Sequence, residues 1–183
     1  LNSELLRKAV TELGYKVVFY PHANLVEYIG EFNLPPHITV VTPSERSIQD
    51  VFANATLMLT DYSSVAFDFA YMKRSILYFQ FDAFEILNGG HTYRPGYFDY
   101  TKHGFGPVCE QLDDLIDELG RYIARDCKPK NTYLQRIERT FVYGEFSNCQ
   151  RTYTAIEQLN TSTISQEHLV KALTECAADA SHT

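Results

Sequence analysis

The segment Thr60-Asp61-Tyr62-Ser63-Ser64-Val65-Ala66-Phe67-Asp68 separates an apolar run from a run with helical spacing. The apolar run covers 55–59 and predicts a strand, whereas the second run covers 65–72 and predicts a helix. In α/β proteins a strand, a short polar turn and a helix in this order bring an anion to the helix N-terminus. The reason is that the first-turn N–H groups have no acceptors within the helix. The segment therefore predicts an α/β fold with an anion site at this turn.

Four side chains of the segment are candidates for that site. Ser63 or Ser64 could cap the helix and donate a hydroxyl to a phosphate oxygen. Asp68 lies one turn beyond Ser64 on the same face. There it would bind a hydroxyl of the ligand that the site holds, orient the serines or simply be solvated. Asp61 is expected to accept hydrogen bonds from turn amides and hold the loop. The alternative for the whole segment is an ordinary serine cap followed by a buried helix.

The rest of the chain alternates strands with helices. Apolar runs predict strands at 16–20, 38–41, 56–60 and 76–79, and helical spacing predicts helices at 5–13, 25–32, 48–53 and 65–72. A strand that is apolar throughout is typical of a parallel sheet covered on both faces. The pattern predicts a parallel α/β sheet of at least four buried strands with helices on both faces.

The periodicity fails between Asp82 and Asp113, which predicts a long, functional loop. Beyond it we expect a short edge strand at 106–109 and helices at 112–123 and 134–140. A last helix, capped by Ser147, would turn Tyr153, Ile156 and Leu159 toward the core. We assign 1–160 to one domain and 161–183 to a tail with a weak helix at 168–176.

Polar residues follow the predicted strands at the edge of the sheet where α/β proteins bind their ligands. They are His22, Thr42, Ser63, Ser64 and Asp82. As an imidazolium, His22 would stabilise charge that develops on a phosphate, and its alternative is an ordinary loop histidine. Arg94, in the long loop, would bind phosphate through its planar guanidinium.

Composition excludes several classes of protein. The chain has 183 residues, enough for one sizeable core, and 45% of them are apolar. A net charge of −7 argues against a nucleic-acid partner and offers no general attraction to anionic lipid. The four cysteines form no C-x-x-C pair and no histidine stands at metal-ligand spacing, so we expect reduced cytoplasmic thiols, no metal and no cofactor. The chain starts at Leu1 in helix-like sequence, and we interpret it as a fragment of a longer protein.

The central segment resembles the signature of the CDP-glycerol glycerophosphotransferases, the family of teichoic-acid polymerases. The matching residues are Asp61, Tyr62, Ser63, Ser64, Val65, Phe67, Asp68, Ala70, Lys73, Arg74 and Asp82, followed by 94–100 and by Gly106-Pro107. Two positions depart from the family. Ser75 replaces a proline, which we expect to affect only a turn, and His22 follows Pro21 where many members have His-Pro.

The resemblance implies a GT-B-type enzyme of two Rossmann-like halves, with this chain as the C-terminal half that binds the nucleotide donor. Ser63 and Ser64 would contact the donor pyrophosphate, and Thr42 would lie near the base. Lys73 and Arg74 are expected to complement the helix dipole or an acidic neighbour, because they follow the far end of the helix.

The reaction implied by the resemblance moves glycerol phosphate from CDP-glycerol, or a related CDP-polyol, to a polymer or lipid-linked acceptor and releases CMP. The expected general base belongs to a His-Gly-Thr motif, which this sequence lacks. The missing N-terminal half would therefore be a partner, and the whole protein would be peripheral on the inner face of the cell membrane. The alternatives are a GT-B glycosyltransferase that uses a nucleotide sugar and a non-catalytic interaction domain of the same fold.

Overall fold

The computed structural model describes residues 3–86, 96–144 and 146–161. The strands are β1 Val17–Phe19, β2 Ile38–Val40, β3 Leu57–Thr60, β4 Ser75–Phe79 and β5 Val108–Cys109. The α-helices are α1 Glu4–Glu12, α2 Ile48–Asn54, α3 Val65–Tyr71, α4 Ala83–Glu85, α5 Tyr100–His103, α6 Leu112–Ile123, α7 Asn131–Thr140 and α8 Asn148–Thr161. A 3-10 helix covers Ala23–Glu31. None of the described helices is both long and apolar enough to cross a membrane.

Every strand pair in the described part of the chain is parallel. β1 pairs with β2, and β3, β4 and β5 pair in that order. Each connection between paired strands contains a helix, which explains the parallel direction. The prediction of one four-stranded sheet is wrong, because the strands form a two-stranded and a three-stranded sheet.

The core lies on both sides of β4. Ile76 and Tyr78 pack with α3 residues such as Phe69, whereas Leu77, between them, packs against Leu115 of α6. Successive side chains of a strand point to opposite faces, so α3 and α6 cover opposite sides of the sheet. The predicted fold class, a Rossmann-like α/β arrangement of parallel strands with helices on both faces, is confirmed. Burial also raises the pKa of Tyr78 to about 12, so this phenol stays neutral in the core.

The first three strands are less buried than their apolar sequences predict. Val18 is opposite Thr39 in the β1–β2 register, and both side chains are exposed on one face. Leu59 of β3 is also exposed, and in the described residues β3 has a strand partner along one edge only. An apolar run does not reveal whether its strand lies at the centre or at the rim of a sheet. Among the described strands only β4 is central and buried along most of its length.

The helix predicted at 25–32 is a 3-10 helix, and its apolar stripe is not in the core. Leu25, Tyr28 and Phe32 are all exposed. The residue at the cap is His22, because its ring accepts the backbone N–H of Asn24. The predicted cap, Asn24, is therefore the second residue of the helix.

Arg74 joins β4 to the end of α2. Its guanidinium donates to the carbonyl oxygens of Phe52 at 2.8 Å, Ala53 at 3.0 Å and Ala55. The last carbonyls of a helix have no hydrogen-bond donors within the helix. The Arg74 guanidinium supplies donors to these carbonyls. Lys73 instead forms an exposed ion pair with Glu138 at 3.0 Å, the acidic neighbour expected from its position.

We expect Arg74→Ala to lower the free energy of unfolding by about 2 kcal/mol or more, since charged hydrogen bonds contribute about 1.5–3 kcal/mol each. Chemical denaturation followed by circular dichroism measures the change. Lys73→Ala is the matched control, because an exposed ion pair contributes about 1 kcal/mol at most. Equal losses in the two variants would contradict the structural role of Arg74.

Ser75 does more than occupy a turn, so the expectation for this departure from the family is wrong. It is the first residue of β4, and its buried hydroxyl donates to the carbonyl of Cys127 at 2.6 Å. Proline has no hydroxyl and no backbone N–H, so this link between β4 and the residues after α6 depends on serine.

Gly106 brings the predicted edge strand against β4. A Cβ atom at this position would lie 1.9 Å from the carbonyl oxygen of Ile76, so the contact requires glycine. Directly afterwards Pro107 accepts the N–H of Tyr78 at 2.9 Å, and Cys109 accepts the N–H of Gln80 at 2.8 Å. The Gly-Pro pair is thus the point where β5 joins the sheet.

The chain divides into two compact units, Leu1–Val142 and Tyr143–Thr183. The described part of the second unit is mainly α8, in which Tyr153, Ile156 and Leu159 are exposed. Their packing into the core of the first unit stays a prediction. The predicted tail at 162–183 lies outside the described residues, and the domain boundary at 160 stays a prediction.

Candidate functional site

The serine turn connects β3 to α3 and has two available hydroxyls. Ser64 is at the N-cap position of α3 but its side chain makes no capping hydrogen bond. In the described part of the chain neither the Ser63 nor the Ser64 hydroxyl has a hydrogen-bond partner. The turn is therefore not an ordinary serine cap, and both hydroxyls remain able to donate to a ligand.

Main-chain atoms begin the helix in place of the hydroxyls. The N–H of Ala66 donates to the Ser63 carbonyl at 3.2 Å, and the N–H of Phe67 donates to the Ser64 carbonyl at 3.0 Å. These bonds hold the two serines at the start of α3 by their backbones. The fold thus sets where the two serines lie, while each hydroxyl can still rotate about χ1 toward a ligand.

Asp61 and Tyr62 hold the preceding half of the turn. Asp61 Oδ1 accepts the backbone N–H of Tyr62 at 2.6 Å, the kind of turn-amide contact expected of it. The Tyr62 hydroxyl donates to Asp82 Oδ1 at 3.2 Å. Burial, and then the adjacent Asp82 carboxylate, raise the pKa of Tyr62, so the phenol remains a donor. Asp82 is thus brought to the turn through Tyr62.

Two residues that sequence reasoning missed fix the carbonyls of the turn. The Gln80 side chain, buried at the end of β4, donates to the Asp61 carbonyl at 3.3 Å. The Tyr100 hydroxyl donates to the Tyr62 carbonyl at 3.1 Å. The position of Tyr100 in the family-like segment 94–100 was the available signal, whereas Gln80 had none beyond its place after a strand.

Asp99 fixes the helix that carries Tyr100. Its Oδ1 accepts the Thr101 N–H at 2.9 Å and the Lys102 N–H at 3.1 Å, and it also accepts the Thr101 hydroxyl at 2.6 Å. The Thr101 hydroxyl, followed by the Lys102 N–H, holds the pKa of Asp99 below its usual value. The short helix α5 therefore begins with a firm cap next to Tyr100.

Asp68 is exposed on α3, one turn beyond Ser64. Among the described residues it makes no hydrogen bond or ion pair. The interpretation that Asp68 orients the serines has no contact to support it in this structure, whereas binding of a donor hydroxyl stays a prediction.

His22 and Thr42 follow strands of the other sheet. His22 Nδ1 accepts the Asn24 N–H at 3.2 Å. Both nitrogens of an imidazolium are donors, so this contact fits the neutral ring, which donates from Nε2 alone. The structure does not pair the β1–β2 sheet with the β3–β5 sheet, and so does not bring His22 to the serines by strand pairing.

Thr42 is occupied by its own turn. Its N–H and its hydroxyl donate to Glu45 Oε2 at 2.8 and 2.9 Å, and its carbonyl accepts the N–H groups of Glu45 and Arg46. The two Thr42 donors lower the pKa of Glu45. The backbone N–H and carbonyl of Thr42, which was expected to lie near the base, are therefore engaged locally. The remaining candidate, Arg94, lies outside the described residues.

The layered sheet and the serine turn after β3 define an α/β domain of the type that GT-B transferases contain. The family model described as CDP-Glycerol:Poly(glycerophosphate) glycerophosphotransferase matches residues 1–158. The chain belongs to this family of teichoic acid glycerophosphotransferases.

Individual relatives agree with this assignment. The chain is 30% identical over 166 residues to the minor teichoic acid biosynthesis protein GgaB of Bacillus subtilis (strain 168), a match that covers 91% of the chain and 18% of GgaB. It is 30% identical over 147 residues to a teichoic acid glycerol-phosphate transferase of Staphylococcus aureus (strain NCTC 8325 / PS 47), covering 80% of the chain and 34% of the relative.

A solved structure has a similar fold. The wall teichoic acid polymerase TagF superposes with a TM-score of 0.54 at 20% identity, and the match covers 87% of this chain and 39% of TagF. The chain therefore spans less than half the length of the proteins it resembles.

Proposed function

We propose that this chain is the donor-binding half of a glycerophosphotransferase that moves glycerol phosphate from CDP-glycerol to a polymer or lipid-linked acceptor. The observation that carries the proposal is the pair of hydroxyls of Ser63 and Ser64, which have no hydrogen-bond partner among the described residues, at the turn between β3 and α3. Two hydroxyls held by the backbone at one place suit the oxygens of a diphosphate. The family to which the chain belongs supports the choice of donor.

In the proposed reaction an acceptor hydroxyl oxygen bonds to the β-phosphorus of CDP-glycerol. The bond from that phosphorus to the bridging oxygen breaks, and CMP leaves with the electron pair. The acceptor proton passes to a general base, which we assign to the N-terminal half of a longer protein. Transfer of this kind depends mainly on positioning and charge stabilisation, which the serines would provide at the diphosphate.

The other assigned residues complete the donor site in this proposal. The His22 Nε2–H donates to the leaving phosphate, and Arg94 binds the diphosphate from the long loop. Asp68 binds a hydroxyl of the donor, Asp61 holds the turn, and Thr42 lies near the base. We expect the whole protein to act as a peripheral protein on the inner face of the cell membrane, where a lipid-linked acceptor is available.

Calorimetric titration of the 183-residue chain with CDP-glycerol, CDP-ribitol and a UDP-sugar tests the choice of donor. We expect weak binding of the cytidine donors and no CMP release when an acceptor is added, because the chain lacks the His-Gly-Thr motif. Preference for the UDP-sugar would favour a glycosyltransferase, and binding of none of the three would favour an interaction domain. Robust acceptor-dependent CMP release by this chain alone would contradict the division of the site between two halves.

A longer protein that includes the N-terminal half allows a test of His22. We expect His22→Ala to lower kcat by about 100-fold or more while the dissociation constant of the donor changes little, because a donor aimed at the leaving group acts mainly in the transition state. Full turnover in His22→Ala would remove His22 from the mechanism.

A further inference from the structure

In the described residues the peptide between Tyr62 and Ser63 has a hydrogen bond at its carbonyl end. Its carbonyl oxygen accepts the Tyr100 hydroxyl at 3.1 Å. Among the described residues the Ser63 N–H at the other end of the same peptide has no acceptor. The C=O and N–H bonds of a planar trans peptide point in opposite directions. A group that holds this carbonyl therefore also sets the direction of the Ser63 N–H.

Tyr100 is itself firmly placed. Its ring packs edge-on against Tyr62, with ring centres 5.9 Å apart, and against Tyr78, at 5.1 Å. Tyr78 is fully buried in β4, and Asp99 caps the helix that begins at Tyr100. The hydroxyl of Tyr100 thus reaches the turn from a fixed position.

The Tyr62 side chain restrains the turn in a second direction through Asp82. Tyr62 O–H donates to Asp82 Oδ1 at 3.2 Å, and Asp82 follows β4. The backbone of Tyr62 is therefore tied to α5 and its side chain to the end of β4. A turn restrained in two directions presents the following serines in one arrangement before a ligand arrives, which lowers the cost of ordering them on binding.

We propose that Tyr100 is a positioning residue for the donor site, whose hydroxyl holds the Tyr62 carbonyl and so directs the Ser63 N–H and the two serine hydroxyls toward the donor diphosphate. The inference rests on the function proposed above. It adds one main-chain donor, the Ser63 N–H, to the groups that contact the diphosphate. It also gives the family-like segment 94–100 a role in donor binding that requires no direct contact between Tyr100 and the ligand.

Tyr100→Phe isolates the hydroxyl, because phenylalanine keeps the ring contacts with Tyr62 and Tyr78. Ser75→Ala is the matched control, since it removes another hydroxyl-to-carbonyl bond at the opposite end of β4 from the turn. Both variants lose one such bond and are expected to lose similar stability. Only Tyr100→Phe is expected to affect the serine turn.

Backbone amide resonances measured by NMR test the positioning without any ligand. We expect shifted and broadened resonances at Ser63 and Ser64 in Tyr100→Phe, and wild-type resonances at both in Ser75→Ala. Titration with cytidine 5′-diphosphate tests the consequence, with about 5- to 10-fold weaker binding in Tyr100→Phe and none of that loss in Ser75→Ala.

Unchanged serine amides in Tyr100→Phe would overturn the proposal, and so would equal weakening of binding in the two variants. If the serine amides respond as expected but the wild-type chain does not bind cytidine 5′-diphosphate, the proposed function is wrong and the positioning of the turn by Tyr100 stands. The two failures are therefore distinguishable in one set of samples.

Discussion

The double substitution of Ser63 and Ser64 by alanine is expected to weaken binding of CDP-glycerol by about 100-fold or more. Each hydrogen bond to a charged phosphate oxygen contributes about 1.5–3 kcal/mol, and a loss of 1.4 kcal/mol corresponds to a factor of ten. Neither hydroxyl is used by the described part of the fold, so the loss appears in binding. Isothermal titration calorimetry of both proteins measures it.

Ser47→Ala is a control that should change the stability of the protein and leave its nucleotide affinity unchanged. Ser47 caps α2, because its hydroxyl oxygen accepts the N–H of Asp50 at 3.2 Å. Loss of such a cap costs about 1 kcal/mol of stability, and we expect no change in nucleotide affinity. The double variant should show the reverse, weak binding with a nearly unchanged free energy of unfolding. An unchanged dissociation constant in the double variant would leave these serines without a role in binding.

The second large effect is expected at Gly106. Gly106→Ala would place a methyl carbon 1.9 Å from the carbonyl oxygen of Ile76, which belongs to the backbone of the central strand β4. Neither partner is the flexible end of a side chain, so the edge strand β5 must move away from β4. We expect a loss of about 3 kcal/mol or more in the free energy of unfolding, at the upper end for overpacked sites.

Urea denaturation measures this loss, and Gly30→Ala is the matched control. A Cβ atom at Gly30 would meet nothing within 4 Å, and its backbone is not in the left-handed region. Alanine restricts the unfolded chain more than glycine does, so Gly30→Ala is expected to be neutral or slightly stabilising. A Gly106→Ala protein as stable as wild type would show that β5 does not need this close approach. If Gly106→Ala does not fold, the yield of soluble protein relative to Gly30→Ala gives the same answer.

Local patterns were sufficient for the elements around the serine turn. The apolar run before Thr60 and the helical spacing after Ser64 lie next to each other in the chain. The structure has a strand at the first place and a helix at the second. The turn-fixing contact of Asp61 with the next residue also follows from short-range geometry. Elements of this kind are predictable because backbone periodicity and helix-end chemistry act over a few residues.

Burial and strand order were not predictable in the same way. The apolar sequences of β1 and β4 look alike, yet Val18 is exposed while Leu77 is fully buried. The difference comes from the helices α3 and α6, which cover both faces of β4. Whether a strand is covered depends on residues far away in the chain, and a local pattern contains no information about them.

The sequence by itself determined the α/β class, the position of the serine turn and the family to which the chain belongs, because these depend on residue types and spacings within short segments. Only the tertiary structure decided how the turn is held. Gln80 and Tyr100 reach the carbonyls of Asp61 and Tyr62 across 19 and 38 positions of the chain. Arg74 likewise reaches α2 across 19 to 22 positions. Such contacts arise when packing brings distant segments together, because hydrogen bonds require a separation of about 3 Å in space whatever the distance along the chain.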